Sequence, residues 1–187
     1  MVLPVVVYGS SILRKKTQII DKDYPDLQQL IENMFDTMHR SDGVGIAAPQ
    51  VGKSIRMFVV DGSPLDDEED EEEDLSDFTK VFINAQIVLR DGEMVPYNEG
   101  CLSLPSIRED VMRHSHIKIE YYDENFDFHS EEYDGTKARI IQHEYDHLDG
   151  ILFTDHLSPI KKRLLAAKLN AISKGKVEVD YKIKIAK

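Results

Sequence analysis

The residues of this chain best suited to catalysis form the segment His143-Glu-Tyr-Asp-His147. On a helix, residues four positions apart lie on one face, so both imidazoles can reach one metal ion. Glu144 stands between them, close enough to handle a proton of a water molecule at that ion. The neighbouring apolar residues indicate an enclosed helix, where unpaired His and Glu side chains are costly. The pattern therefore predicts a catalytic metal site rather than an exposed polar face.

A catalytic metal of this kind usually has three protein ligands and an open position for water. The extended motif with a third histidine fails, because Phe153 occupies that position. Cys101 is the only cysteine, so an internal disulfide is excluded and we expect a reducing compartment, the cytoplasm. There a thiolate can complete the site. His156, just past the helix, remains an alternative, and Glu178 in the basic tail is a poor candidate.

A glycine- and alanine-rich segment runs from Gly43 to Gln50. It contains the weak dinucleotide pattern G-x-G-x-x-A, but the context is wrong, because a helix precedes it and a strand follows it. Small residues leave room for another chain beside the backbone. Gln50 then offers a neutral amide donor at the end of the segment, although a surface or turn-satisfying glutamine is an equally good interpretation of the residue type alone.

Hydrophobic periodicity predicts the elements that must position these residues. Helices are expected at about 26–40, 136–148 and 158–174, the last beginning at an N-cap Ser158 before Pro159 and presenting Leu164, Leu165, Leu169 and Ile172. Strands are expected at 55–61, 80–89, 117–122 and 126–133, with Asp91-Gly92 as a hairpin turn. Strands in the middle and helices at the ends favour an α+β fold over alternating βαβ units.

Length and charge narrow the possible classes of protein. The 187 residues fit a single domain, and no apolar run is long enough for a membrane helix. The net charge of −12 argues against general nucleic-acid binding, DNA included. Ten of the 12 residues in 66–77 are acidic, which indicates a solvated surface insertion. The tail 158–187 instead carries nine Lys or Arg against two acids, so a local electrostatic partner is possible there.

Three segments together resemble the bacterial peptide deformylases. They are Gly43-Val-Gly-Ile-Ala-Ala-Pro-Gln50, Glu99-Gly-Cys-Leu-Ser103 and Gln142-His-Glu-Tyr-Asp-His-Leu-Asp-Gly150. All three match the family's motifs, in the family's order, and the resemblance spans nearly the whole chain. The acidic run is longer than is typical of that family, and it contains none of the motif residues.

The resemblance implies antiparallel sheets around a central helix that carries H-E-x-x-H, followed by a basic C-terminal helix. It implies hydrolysis of the N-formyl group from the initiator methionine of nascent chains, with release of formate. One divalent ion per chain is implied, natively Fe(II), although Zn(II) or other ions suit the same ligands. The implied ligands are Cys101, His143 and His147.

The resemblance also implies roles around the ion. Glu144 acts as general base and then acid, and the Gln50 side chain and the Leu102 N–H stabilise the oxyanion. Gly45 presents its backbone to an extended peptide. The implied substrate-binding residues are Val44, Gly45, Glu99, Gly100, Arg139 and Ile140, beside His143. A further implied partner is the ribosome near the exit tunnel, contacted through the basic helix.

Two other functions remain open from the residues alone. An ordinary H-E-x-x-H zinc endopeptidase needs a carboxylate or histidine as third ligand, which the sequence scarcely supplies. A ribosome-associated module with a structural metal needs a fourth protein ligand, and the chain has no second cysteine.

Overall fold

The computed structural model describes residues 1–66 and 73–186. Its three α-helices are α1 (Leu27–Arg40), α2 (Gly135–Leu148) and α3 (Pro159–Ser173). Its strands are β1 (Val5–Val6), β2 (Gly45–Ala47), β3 (Met57–Asp61), β4 (Thr79–Cys101), β5 (Leu104–Tyr122), β6 (Phe128–Asp134) and β7 (Ile183–Lys184). None of the helices in these ranges is long and apolar enough to cross a membrane.

Strands β2 to β6 form one antiparallel sheet in the order β2-β3-β4-β5-β6, and β1 pairs with β7 in a second, two-stranded sheet. The predicted α+β class is confirmed, and the predicted strands at 117–122 and 126–133 pair with each other as parts of β5 and β6. The expectation that all sheets are antiparallel is wrong for the small one, which is parallel. It joins strands from opposite ends of the chain, so no short turn determines their relative direction.

The predicted hairpin turn at Asp91-Gly92 is wrong. Both residues lie inside β4, where Asp91 pairs with His116 and the register shifts before Met94. Gly92 has a φ of 73°, and its N–H donates to the Asp91 carboxylate, so the chain bulges there without reversing. The reversal comes ten residues later, at a two-residue connection between Cys101 and Leu104.

Helix α2 is held against the large sheet along most of its length. Ala138, Ile141 and Leu148 belong to the same buried cluster as Phe58 and Phe82 of the sheet. Packing of this kind fixes which face of α2 points inward. The predicted enclosure of the motif helix is therefore right, and both of its histidines lie within this packed layer or at its edge.

A carboxylate from the acidic segment caps the first turn of α2. The Glu73 side chain accepts hydrogen bonds from the Thr136 and Lys137 N–H groups, at 2.9 and 3.0 Å. A negative charge at a helix N-terminus also interacts favourably with the helix dipole. Leu75 is buried as well. The prediction of a solvated insertion therefore does not hold for Glu73 and Leu75, which contact the rest of the fold. The acidic residues 67–72 lie outside the described residues.

Helix α3 begins as predicted, since the Ser158 hydroxyl accepts from the Lys161 N–H. Leu165, Leu169 and Ile172 are buried. The expectation that Leu164 shares this face is wrong: its exposure is 76%, because it lies one position off the buried stripe. After α3 the chain turns back and pairs with β1, beside the site described next.

Candidate active site

The structure brings Cys101, His143 and His147 together. Helix α2 supplies the two histidines one turn apart, and the last residue of β4 supplies the thiol. Their potential ligand atoms all lie within 4.8 Å of one another, and Cys101 Sγ is 3.3 Å from His147 Nε2. One thiolate with two imidazoles is a donor set that suits zinc and iron.

A buried carboxylate oxygen at this cluster supports its fit to a metal ion. Within the described ranges, Glu144 Oε2 is buried and has no hydrogen-bond partner. Buried polar atoms are nearly always paired, so an unpaired carboxylate oxygen beside three potential ligands indicates a missing polar group. A divalent ion with its water molecule meets this need, and the residues present therefore fit such an ion.

Glu99 orients His143 from behind. Its Oε2 lies 2.8 Å from His143 Nδ1, which leaves the other ring nitrogen to face the cluster. Its Oε1 accepts from Arg113 at 2.6 Å and from Arg139 at 2.9 Å. Burial raises the pKa of Glu99, but hydrogen bonds from His143 and Arg113 outweigh it and hold the pKa far below its usual range. The carboxylate therefore stays ionised in the interior.

Arg113 continues this network to Asp146. Its Nη1 donates to Asp146 Oδ2 at 2.7 Å, and His156 Nε2 lies 2.7 Å from the same oxygen. His156, the alternative third ligand, is thus bonded to Asp146 and is not in the cluster with His143 and His147. Sequence reasoning missed Arg113, because it stands in a strand with no local motif, and its partners are adjacent only through the fold.

Glu144 is buried at the centre of the site. Burial raises its pKa to about 7, and the nearby charges of Glu99 and Asp146 act in the same direction, while His143 opposes them. A carboxyl group that titrates near neutrality can both accept and return a proton. This property suits the role predicted for Glu144.

Gly45 of β2 leaves the space that Glu144 occupies. A Cβ atom at Gly45 would lie 2.6 Å from Glu144 Oε1 and 2.7 Å from its Cγ, far inside van der Waals contact. A glycine is therefore needed at position 45 for the Glu144 carboxylate to take its position. The sequence alone predicts only that the small residues leave room for another chain. Among the described residues, β2 is also an edge strand of the large sheet, so one side of its backbone has no neighbouring strand there.

Gln50 lies in the interior beside the thiol, so the alternative of a surface glutamine is wrong, while its contact with the Ala47 backbone bears out the alternative of a turn-satisfying glutamine. Its Oε1 accepts from the Ala47 N–H at 2.7 Å, which orients the amide. Its Nε2 donates to Ser103 Oγ at 3.2 Å and lies 3.5 Å from Cys101 Sγ. The donor end of the amide therefore points at the cluster.

A cavity of about 520 Å³ opens onto these residues. It is lined by all of the predicted substrate-binding residues, Val44, Gly45, Glu99, Gly100, Arg139 and Ile140. The lining is more apolar than expected, since Tyr97, Leu104 and Ile107 also contribute. The tail residues Glu178 and Tyr181 line the cavity too. No sequence pattern indicated this, because both residues follow the last predicted helix and carry no motif.

Comparisons with known proteins agree with this geometry. The family model described as polypeptide deformylase matches residues 2–163. A peptide deformylase of Christiangramia forsetii is 55% identical to this chain, over 98% of the chain and 96% of that protein. A peptide deformylase of Flavobacterium johnsoniae is 50% identical, over 100% of the chain and 97% of that protein.

Solved structures give the same result for the fold. The crystal structure of a peptide deformylase from Thermus thermophilus superposes with a TM-score of 0.82 at 37% identity, covering 94% of this chain and 99% of that one. Arabidopsis thaliana peptide deformylase 1B in complex with an inhibitor gives a TM-score of 0.80 at 32% identity, covering 97% and 98%.

The close approach at Gly45 generates a first prediction. Gly45→Ala should lower kcat by at least about 10-fold, because the new methyl group displaces the Glu144 carboxylate, and small misplacements are costly in a preorganised site. Metal content, measured by elemental analysis, should stay the same. If the effect acts through Glu144, the double variant Gly45→Ala/Glu144→Gln should be no slower than Glu144→Gln alone. Additive losses would contradict this explanation.

A second prediction concerns the thiol. If the thiolate is a ligand, Cys101→Ala removes one of three potential ligands and a full negative charge, so bound metal and turnover should fall together. Cys101→Asp restores the charge with a harder donor, and metal binding should return with poor activity. His156→Gln is the matched control and should keep a full metal equivalent. A folded Cys101→Ala protein that retains its metal and activity would show that the third ligand lies elsewhere.

Proposed function

This chain belongs to the polypeptide deformylase family, and we propose that its own Glu144, Gln50 and Leu102 carry out the family's reaction. That reaction is hydrolysis of the N-formyl group from formyl-methionine at the start of nascent polypeptides, with release of formate. The observation that carries the proposal is the placement of Glu144, buried between two potential ligand histidines and adjoining a cavity large enough for a methionine side chain.

We propose that Cys101, His143 and His147 hold one divalent ion, Fe(II) natively, with Zn(II) or another divalent ion able to take its place. When bound, such an ion lowers the pKa of a water molecule and polarises the carbonyl it contacts. Oxygen sensitivity of a thiolate–iron site fits the reducing cytoplasm, where we expect the protein to act. The ligand set alone suits zinc equally well.

Glu144 moves the proton in both halves of the reaction. As a carboxylate it accepts a proton from the attacking water, while the water oxygen forms a bond to the formyl carbon. It then donates that proton to the methionine nitrogen as the bond between this nitrogen and the formyl carbon breaks. The products are formate and a free amine, and Glu144 returns to its ionised form.

Gln50 and Leu102 stabilise the charge that develops on the formyl oxygen. The Gln50 amide is oriented by the Ala47 N–H, so its donor end is already aimed at the site before substrate arrives. Leu102 lies in the turn directly after Cys101 and lines the cavity. We assign its backbone N–H as the second donor, which needs no side-chain motion during the reaction.

The peptide extends along the edge of β2. The backbone of Gly45 offers its unpaired side to an extended chain, which adds as a further strand. This direction places the methionine side chain between Val44, Ile140 and the ring of His143, all of which line the cavity. The surface of this cavity is mainly apolar, which favours an unbranched thioether side chain.

Neither other function is favoured by the geometry. A zinc endopeptidase of the ordinary kind requires a third histidine or carboxylate ligand, and the group within the described ranges has a thiol instead. A structural metal requires a closed site, whereas this cluster adjoins an open cavity.

The role of Glu144 predicts the outcome of an isosteric change. Glu144→Gln should keep the metal, because the ligands are untouched, but lose at least about 10² in kcat for formyl-Met peptide, as expected when a general acid–base is removed. Formate release measures turnover, and elemental analysis measures the metal. Asp149→Asn, one residue beyond α2, is the control and should retain turnover. Near-normal turnover by metal-loaded Glu144→Gln would reject the assignment.

We also propose that α3 contacts the ribosome near the exit tunnel. The helix exposes Ile160 and Leu164, one turn apart, with exposures of 74% and 76%, and the exposed Arg163 and Lys168 flank them. An apolar pair within basic residues fits a surface of ribosomal RNA and protein. The buried residues of α3 already pack on the core, so this outer face is not needed for folding.

Charge reversal tests this contact without removing the helix. Arg163→Glu/Lys168→Glu should reduce co-sedimentation with ribosomes, and the wild-type interaction should weaken steeply with salt. Lys15→Glu/Lys16→Glu, which changes the same charge at exposed positions outside α3, is the matched control. Equal loss in both variants, or no loss in either, would indicate that α3 only packs on the core.

A further inference from the structure

The segment after α3 returns to the candidate active site through Tyr181. Its hydroxyl donates to the Leu102 carbonyl oxygen at 2.8 Å, and its ring is part of the cavity wall. Leu102 is the first residue of the two-residue turn between β4 and β5, directly after Cys101. The mechanism described above gives Tyr181 no role.

The second carbonyl of the same turn is held from the other end of the chain. The Tyr8 N–H donates to the Ser103 carbonyl oxygen at 2.9 Å. Tyr8 follows β1 and Tyr181 precedes β7, and these strands pair through the Val5 N–H and the Lys182 carbonyl at 2.8 Å. One small sheet therefore carries both donors, and the turn is fixed at two successive carbonyls.

Fixing these carbonyls restricts the rotation of the turn. A two-residue connection has few free dihedral angles, so the orientation of the Leu102 carbonyl limits the orientation of the adjoining Cys101–Leu102 peptide plane. That plane contains the Leu102 N–H, and it is attached to the residue that bears the thiol. By holding the Leu102 carbonyl, the Tyr181 hydroxyl therefore also restricts the orientation of the Leu102 N–H, the donor to the formyl oxygen.

We propose that Tyr181 is a positioning residue for the reaction, acting through the Leu102 turn; the proposal rests on the role assigned above to the Leu102 N–H. It does not require Tyr181 to contact the formyl group. Its effect belongs to the transition state, since the charge on the oxygen develops only there. The aromatic ring has the separate task of packing beside Leu102, which a phenylalanine can perform.

Tyr181→Phe tests this proposal in the full-length, metal-loaded protein. It removes one hydroxyl and keeps the ring. We expect kcat to fall about 5- to 10-fold with KM for formyl-Met peptide nearly unchanged, the size expected for loss of one hydrogen bond. Amide hydrogen exchange in 101–104 should become faster, while the metal content stays the same.

Tyr121→Phe is the matched control, because its hydroxyl also makes partly buried contacts, to Glu131 and Lys80, outside the turn. It should lower thermal stability without changing kcat or exchange in 101–104.

Three results would overturn the proposal. Unchanged exchange in 101–104 would show that the hydroxyl does not hold the turn. A rise in KM at constant kcat would show that Tyr181 contributes only to peptide binding, as part of the cavity wall. Faster exchange with unchanged kcat would reject both the positioning role and the donor role of Leu102. Failure of the wild-type protein to hydrolyse formyl-Met peptide would instead refute the proposed function itself, so the two failures are distinguishable.

Discussion

The bridge that Arg113 makes between two buried carboxylates holds the site together. Glu99 and Asp146 are nearly inaccessible to water, and an isolated buried charge is too costly to persist. The Arg113 guanidinium contacts both, and it thereby joins β4, β5 and α2 at one point. Cys101 lies two residues beyond Glu99, and His147 follows Asp146 directly. The same cation therefore sets the distance between the thiol and the helix.

The charges around the site are balanced in two groups. In the network behind the cluster, the positive charges of Arg113 and Arg139 compensate the negative charges of Glu99 and Asp146. A divalent ion held by the Cys101 thiolate and two neutral histidines would carry a formal charge of +1, which the Glu144 carboxylate would offset. Each group is thus near neutrality in a poorly solvated interior, so removal of any one member leaves a charge without compensation.

Local patterns predicted the parts of the site that lie close together in sequence. The 3.6-residue period placed His143 and His147 on one face of a helix, and small residues marked the segment before Gln50. The hairpin turn predicted at Asp91-Gly92 was wrong, because the same dipeptide that closes a hairpin can also form a bulge within a strand. Arg113, Glu73 and Tyr181 carry no local signal, since each acts through contacts with residues 14 or more positions away.

These long-range contacts fix the two elements that must not move relative to each other. Glu73 holds the N-terminal turn of α2, and the N–H and hydroxyl of Thr17 both donate to the Leu148 carbonyl at its other end. The turn after Cys101 is held by Tyr8 and Tyr181, from both ends of the chain. Helix and turn are thus restrained independently, so the ligand geometry does not depend on the flexibility of either. A reaction that tolerates only positional errors well below 1 Å requires such restraint, because a catalytic group that is misplaced loses most of its advantage over the same group in free solution.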